Sequence, residues 1–129
     1  MPSEVAVLDS GTKLAVDRTW LAHERTVLAW VRTAASLISF GFTIYKFFQL
    51  ELGDRLPAGG GLIGPREFAI LLIATGIGSL VVAYLEHRQN TRTMRAAYGD
   101  LIPTSLAGVV AGVVAGLGVL AIVFVILRL

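Results

Sequence analysis

Three arginines stand seven residues apart, Arg18, Arg25 and Arg32, inside LAVDRTWLAHERTVLAWVRTAASLISF. A guanidinium is a planar, permanently charged fork that bonds two oxygens of a phosphate or carboxylate at once. On a helix, positions seven apart return to within about 20° of one another, so the three share a face. Ser36, Ser39 and Thr43 continue that face into an apolar stretch. Such a line of cations and hydroxyls could collect an anion and pass it inward. A blander reading stands beside it. Arg32 lies near the start of the apolar run and could snorkel to the headgroups, while the hydroxyls could bond their own helix.

A second basic set, Arg88, Arg92 and Arg95, is spaced by four and three residues, again one helical face. It could touch anionic lipid headgroups. Alternatively it could converge with the first stripe into a vestibule that attracts anions. Glu24, next to Arg25, could pair with Arg25, Arg88 or His87 and hold a guanidinium in place, since an unpaired buried carboxylate is costly.

Other chemistry finds little support. The chain has no cysteine, which removes thiolate catalysis, thiolate metal sites and disulfides. His23 and His87 have no HExxH or similar spacing, so no metal site is expected. The glycine-rich AGGGLIG lacks the Lys-Ser/Thr ending of a phosphate-binding loop. No nucleophile–base pair or pair of acids in a cleft can be proposed, so neither an enzyme nor a cofactor is expected. A formal charge of only +2 gives no ground for nucleic-acid binding.

These residues need elements to position them. Of 129 residues 55% are hydrophobic, and the mean hydropathy is +0.74. That composition belongs to a small membrane protein rather than a cytosolic domain. Three stretches are long enough to span, at about 27–50, 68–85 and 106–127, given that a helical span takes about 20 apolar residues. Nothing alternates with period two. The expectation is an all-α membrane protein of a single domain, 1–129. Helix one should have an amphipathic N-terminal approach, and helix two a cytoplasmic extension to about residue 98. The first 20 residues, MPSEVAVLDSGTKLAVDRTW, lack the basic-then-apolar order of a secretory signal and read as mature sequence, with residues 1–11 mobile.

The first connection, GDRLPAGGGLIGP, is a loop by composition. Pro65 suits the first turn of helix two, with Glu67 at its positive end. Pro103, Thr104 and Ser105 mark the turn into helix three. Trp20, Trp30, Tyr84 and Tyr98 fall where an interfacial aromatic belt is expected. Lys13, Arg18, Arg25, Arg88, Arg92 and Arg95 lie on one side, and Lys46, Arg55, Arg66 and Arg128 on the other. That bias favours a cytoplasmic N-terminus and an exterior C-terminus.

Helix three contains the repeat AGVV-AGVV-AGLG, which puts Gly108, Gly112 and Gly116 in one row with Ala107, Ala111 and Ala115 beside them. Small residues every fourth position let helices approach closely in lipid. The row could serve packing within the chain or contact between subunits. Ala74 with Gly78, and Thr75 with Ser79, make a shorter version on helix two.

The stretch LAHERTVLAWVRT, followed by the three-span profile, resembles the bacterial YidH-like family of small membrane proteins. The same pattern is similar to the transmembrane domain of the vacuolar transporter chaperone subunits, which form a pentameric ring that passes polyphosphate across a membrane. The resemblance covers roughly residues 15–127, with Glu24-Arg25-Thr26 and Ala29-Trp30 as its specific core. It implies that Arg18, Glu24, Arg25 and Arg88 line a channel mouth. Two departures stand out. Leu101 occupies the place of a further channel-lining arginine, and Arg32 follows the bacterial pattern alone. No soluble polymerase or polyphosphate-sensing domain is expected within these residues.

The expectation is therefore a homo-oligomer in the bacterial inner membrane, pentameric by resemblance, although glycine rows serve dimers and trimers alike. Its Arg-lined cytoplasmic vestibule would bind or conduct anions, phosphate or polyphosphate first. Arg18, Arg25 and Arg88 would collect the anion, Glu24 would orient guanidiniums, and Arg32 would form an inner ring. The alternative is a non-conducting scaffold or accessory subunit whose basic faces bind anionic membrane lipids.

Overall fold

The computed structural model describes residues 2–52, 63–98 and 104–127, with the side chains of 2–9, 52 and 98 left aside. It contains three helices in the order α1 (Pro2–Leu52), α2 (Pro65–Tyr98) and α3 (Leu106–Leu127). Each is long and apolar enough to cross a membrane, and no strand occurs among the described residues. Helix α3 has 22 residues, about 33 Å, which matches a hydrocarbon core of about 30 Å.

Local sequence explains the starts. Pro65 opens α2 with Glu67 in its first turn, and the Phe68 amide donates to the Gly64 carbonyl at 3.0 Å. Proline loses nothing there, because a first-turn amide has no helical acceptor. Helix α1 runs as one element from Pro2, so helix covers most of the N-terminal segment that the sequence suggested was mobile. The glycine-rich connection and most of the Gly99–Thr104 turn lie outside the described residues.

All three helices pack on one another, α1 most extensively on α2. One core layer joins Val27, Val31 and Ala34 of α1 with Leu80 of α2 and Ala107 and Ala111 of α3. A second joins Ile38 and Tyr45 with Ala69, Ile73 and Val125. Small residues set the spacing. A Cβ at Gly76 would meet the Ala34 carbonyl at 3.0 Å, and one at Gly41 would meet Ile73 at 2.9 Å. At Gly118 it would sit 2.8 Å from both Ile38 and Ile77. Gly41 and Gly76 let backbones approach where lipid supplies no hydrophobic drive, and Gly118 makes room for the Ile38 and Ile77 side chains. By contrast, Gly112, Gly116 and Gly78 have nothing within 4 Å of an added Cβ.

Beyond the first core layer, α1 and the end of α2 continue together. Val16 and Trp20 are each 4% exposed, and the Trp20 ring lies 5.8 Å from that of His87. Trp20 therefore packs inside the bundle instead of joining an interfacial belt. Trp30 and Tyr84 remain on the surface.

Candidate functional site

The motif Glu24-Arg25-Thr26 sends its three side chains in three directions. Glu24 turns toward α3. Its Oε1 accepts from the Ser105 hydroxyl at 2.6 Å and its Oε2 from the Ala107 amide at 3.1 Å. Ser105 is the N-cap of α3, and its Oγ also accepts from the Gly108 amide at 3.0 Å, a standard use of a serine there. His87 Nε2 lies 2.8 Å from the same oxygen. The single Ser105 proton is spent on Glu24, so His87 Nε2 must be the donor. Nδ1 is then a bare acceptor, buried and without a partner among the described residues.

Glu24 thus places a carboxylate on the positive end of the α3 dipole and satisfies the Ala107 amide, which has no acceptor within the helix. The other end is matched by the opposite charge. Arg66 of α2 donates from Nη2 to the Ile126 carbonyl at 3.1 Å and from Nε to the Val125 carbonyl at 3.4 Å. Helix α3 contains no charged residue between its ends, yet α1 and α2 supply an ion for each pole. Neither Arg25 nor Arg88 is the partner of Glu24, and the expected role of holding a guanidinium gives way to capping.

Arg25 points the other way. Arg18 is two residues from the buried Val16 and Trp20, Arg25 two from Val27, and Arg32 two from Ala34. Two residues are about 200° of helix, so the stripe occupies the face of α1 opposite the core. Arg18, Arg25, Arg32, Ser36, Ser39 and Thr43 are all exposed. Among the described residues no carboxylate pairs with any of the three arginines. The Ser36 hydroxyl donates back to the Arg32 carbonyl at 2.9 Å, and Thr26 to Ala22 at 3.1 Å.

Depth follows from the caps. Glu24 is level with the start of α3, and Tyr45 packs near Val125 at its end. Arg32 is eight residues past Glu24, about 12 Å along the axis. That exceeds the length of its side chain, so the guanidinium stays inward of the Glu24 layer. Beside the stripe runs a second heptad, Ala15, Ala22, Ala29 and Ser36, also exposed. Small residues beside arginines at heptad spacing leave an open seam along the outer face of α1. The alanine seam is visible in the sequence once the arginine stripe supplies its register.

The second basic set does not meet the first within one chain. Arg88, Arg92 and Arg95 line an open groove of about 450 Å³ between α2 and α3, to which α1 contributes nothing. The α1 stripe lies on the far side of the bundle. The rows on α3 divide likewise. Ala107 and Ala111 are buried and Ala115 lies at the core edge, whereas Gly112 and Gly116 face outward.

The profile of a family described as a domain of unknown function, DUF202, matches residues 18–93, more than half of the chain. The matched segment holds the whole arginine stripe, Glu24, and α2 as far as Arg92. No curated protein and no solved structure matches the chain.

Proposed function

We propose that this chain, which belongs to the DUF202 family of YidH-like small membrane proteins, assembles with copies of itself so that the outer faces of α1 line a wet, anion-attracting interior. One observation carries the reading. Arg32 lies within the apolar run of α1, about 12 Å past the level of Glu24, on the face opposite the core, exposed and without a carboxylate partner among the described residues. Facing lipid there would cost about 2.5–3.5 kcal/mol on insertion scales. A neighbouring copy across an axis replaces that lipid with water and protein.

In such an assembly Arg18 and Arg25 gather the anion at the mouth, and Arg32 forms the inner ring. Ser36, Ser39 and Thr43 carry the polar face onward. Phosphate and polyphosphate are the first ligands to test, because guanidinium forks match their oxygens and because the motif resembles that of the polyphosphate-passing chaperone subunits. The lysine and arginine bias favours a plasma-membrane orientation with the N-terminus cytoplasmic and the C-terminus outside. In an oligomer whose axis is lined by α1, the groove of Arg88, Arg92 and Arg95 faces outward and does not contribute to the vestibule.

The test is anion flux in sealed liposomes carrying the assembled protein, with phosphate, short polyphosphate and chloride compared. Flux should fall in Arg25→Gln/Arg32→Gln at unchanged oligomer size. Unchanged flux in that variant would sink the reading.

A further inference from the structure

The groove on the α2/α3 face has two halves of opposite character. Its polar half, about 450 Å³, is walled by Arg88, Arg92 and Arg95 on α2 and by Ser105 and Gly108 on α3. No carboxylate lines it, and none of the three arginines forms an ion pair among the described residues. His87, 6% exposed, forms part of its wall with Nδ1 unpartnered, and the Thr91 hydroxyl beside it also lacks a partner. The second half is an apolar trough of about 300 Å³ floored by Ala111, Gly112 and Ala115 and flanked by Leu80 and Val81. Tyr84 and Gly108 belong to both halves, so the two adjoin along the α2/α3 face. The trough follows α3 for roughly 10 Å into the span.

We infer that this groove is a binding site for an anionic phospholipid. Its phosphate sits among the three arginines at the membrane boundary, where positive side chains recognise anionic headgroups. One acyl chain lies along the trough that the bare glycines leave open. Tyr84, 43% exposed at the junction, stands where its hydroxyl reaches the ester region. A free anion would satisfy only the upper half, and an apolar helix only the lower. A phospholipid brings negative charge and methylenes together in the order the groove presents them. This site uses none of the α1 stripe, so it stands whether or not that stripe lines a path.

The experiment reconstitutes the full chain in nanodiscs of mixed phosphatidylglycerol and phosphatidylcholine. Native mass spectrometry of the released assembly then reads the retained lipids. The wild type should retain phosphatidylglycerol preferentially. Arg88→Gln/Arg92→Gln should lower that preference roughly thirtyfold. Gly112→Leu, at a position where an added Cβ meets nothing within 4 Å, should extend into the trough and reduce retention of either lipid several-fold, with helical content unchanged. Equal retention of the two lipids by the wild type would overturn the inference, as would a preference that survives both variants. Displacement of the lipid by millimolar inorganic phosphate would mark a free-anion site instead. Efficient cross-linking between copies through Gly112→Cys would put a second chain in the trough. Flux through the α1 path is read separately, so loss of either result leaves the other standing.

Discussion

Replacing Glu24 tests the link between the most specific motif in the sequence and the fold. In the wild type its carboxylate accepts two hydrogen bonds from the first turn of α3, at 2.6 Å and 3.1 Å. Hydrogen bonds to a charged group are worth about 1.5–3 kcal/mol each, and a carboxylate at a helix N-terminus adds about 0.3–1 kcal/mol. Part of this is recoverable. In Glu24→Ala the Ser105 proton can turn to His87 Nε2 if the imidazole changes tautomer, which leaves the Ala107 amide as the main orphan. The expected loss is therefore about 2–3 kcal/mol. Glu24→Gln keeps one acceptor oxygen and should lose about 1–2 kcal/mol. Reversible unfolding in mixed micelles, titrated with a denaturing detergent and followed by far-ultraviolet circular dichroism, reads both. In a Trp30→Phe background, Trp20 fluorescence gives a local signal, since that ring packs 5.8 Å from His87. A different outcome would refute the capping role. If both variants unfold within about 0.5 kcal/mol of wild type while anion flux collapses, Glu24 acts on the guanidiniums and not on α3.

The opposite pole gives a matching prediction. Arg66→Gln removes the guanidinium from the last carbonyls of α3 and should cost about 1–2 kcal/mol in the same titration; a neutral result would make that contact incidental. The glycines separate by position. Gly118→Leu forces a side chain where a Cβ already meets Ile38 and Ile77 at 2.8 Å, so a loss of roughly 1–3 kcal/mol is expected. Gly112→Leu should stay within about 0.5 kcal/mol of wild type, and equal losses at the two sites would contradict the packing described above.

Much of this architecture was legible because it is local. Three apolar stretches of spanning length, Pro65 at the start of α2 and the polar turn before α3 are read from neighbouring residues alone. The facing of α1 was not legible, and the reason is physical. Lipid and the protein core are equally apolar, so Val27 and Leu28 look alike in sequence although one is buried and the other exposed. The partner of Glu24 is 81 residues away, and nothing nearby distinguishes capping from pairing with Arg25. The conspicuous row of Gly108, Gly112 and Gly116 lies on α3, yet the close backbone approaches are made at Gly41 and Gly76, and within the repeat only Gly118 sits tightly against its neighbours. Those positions follow from where helices cross, which no periodicity in one helix encodes. Trp20 misled for a similar reason: an aromatic ring beside a span reads as an interfacial anchor until a second helix extends far enough to cover it.

The measurement that bears most directly on the outer face of α1 uses the absence of native cysteine. Single substitutions Ala29→Cys, Ser36→Cys and Thr43→Cys place a thiol along the seam, and Val113→Cys places one on an exposed part of α3. Each is exposed to a small anionic, membrane-impermeant thiosulfonate in the assembled, membrane-embedded protein. The expected result is rapid labelling along the seam, slowed by phosphate, with little at Val113→Cys. Labelling along the seam no faster than at Val113→Cys would mean that lipid covers the arginine face and that no aqueous interior exists there.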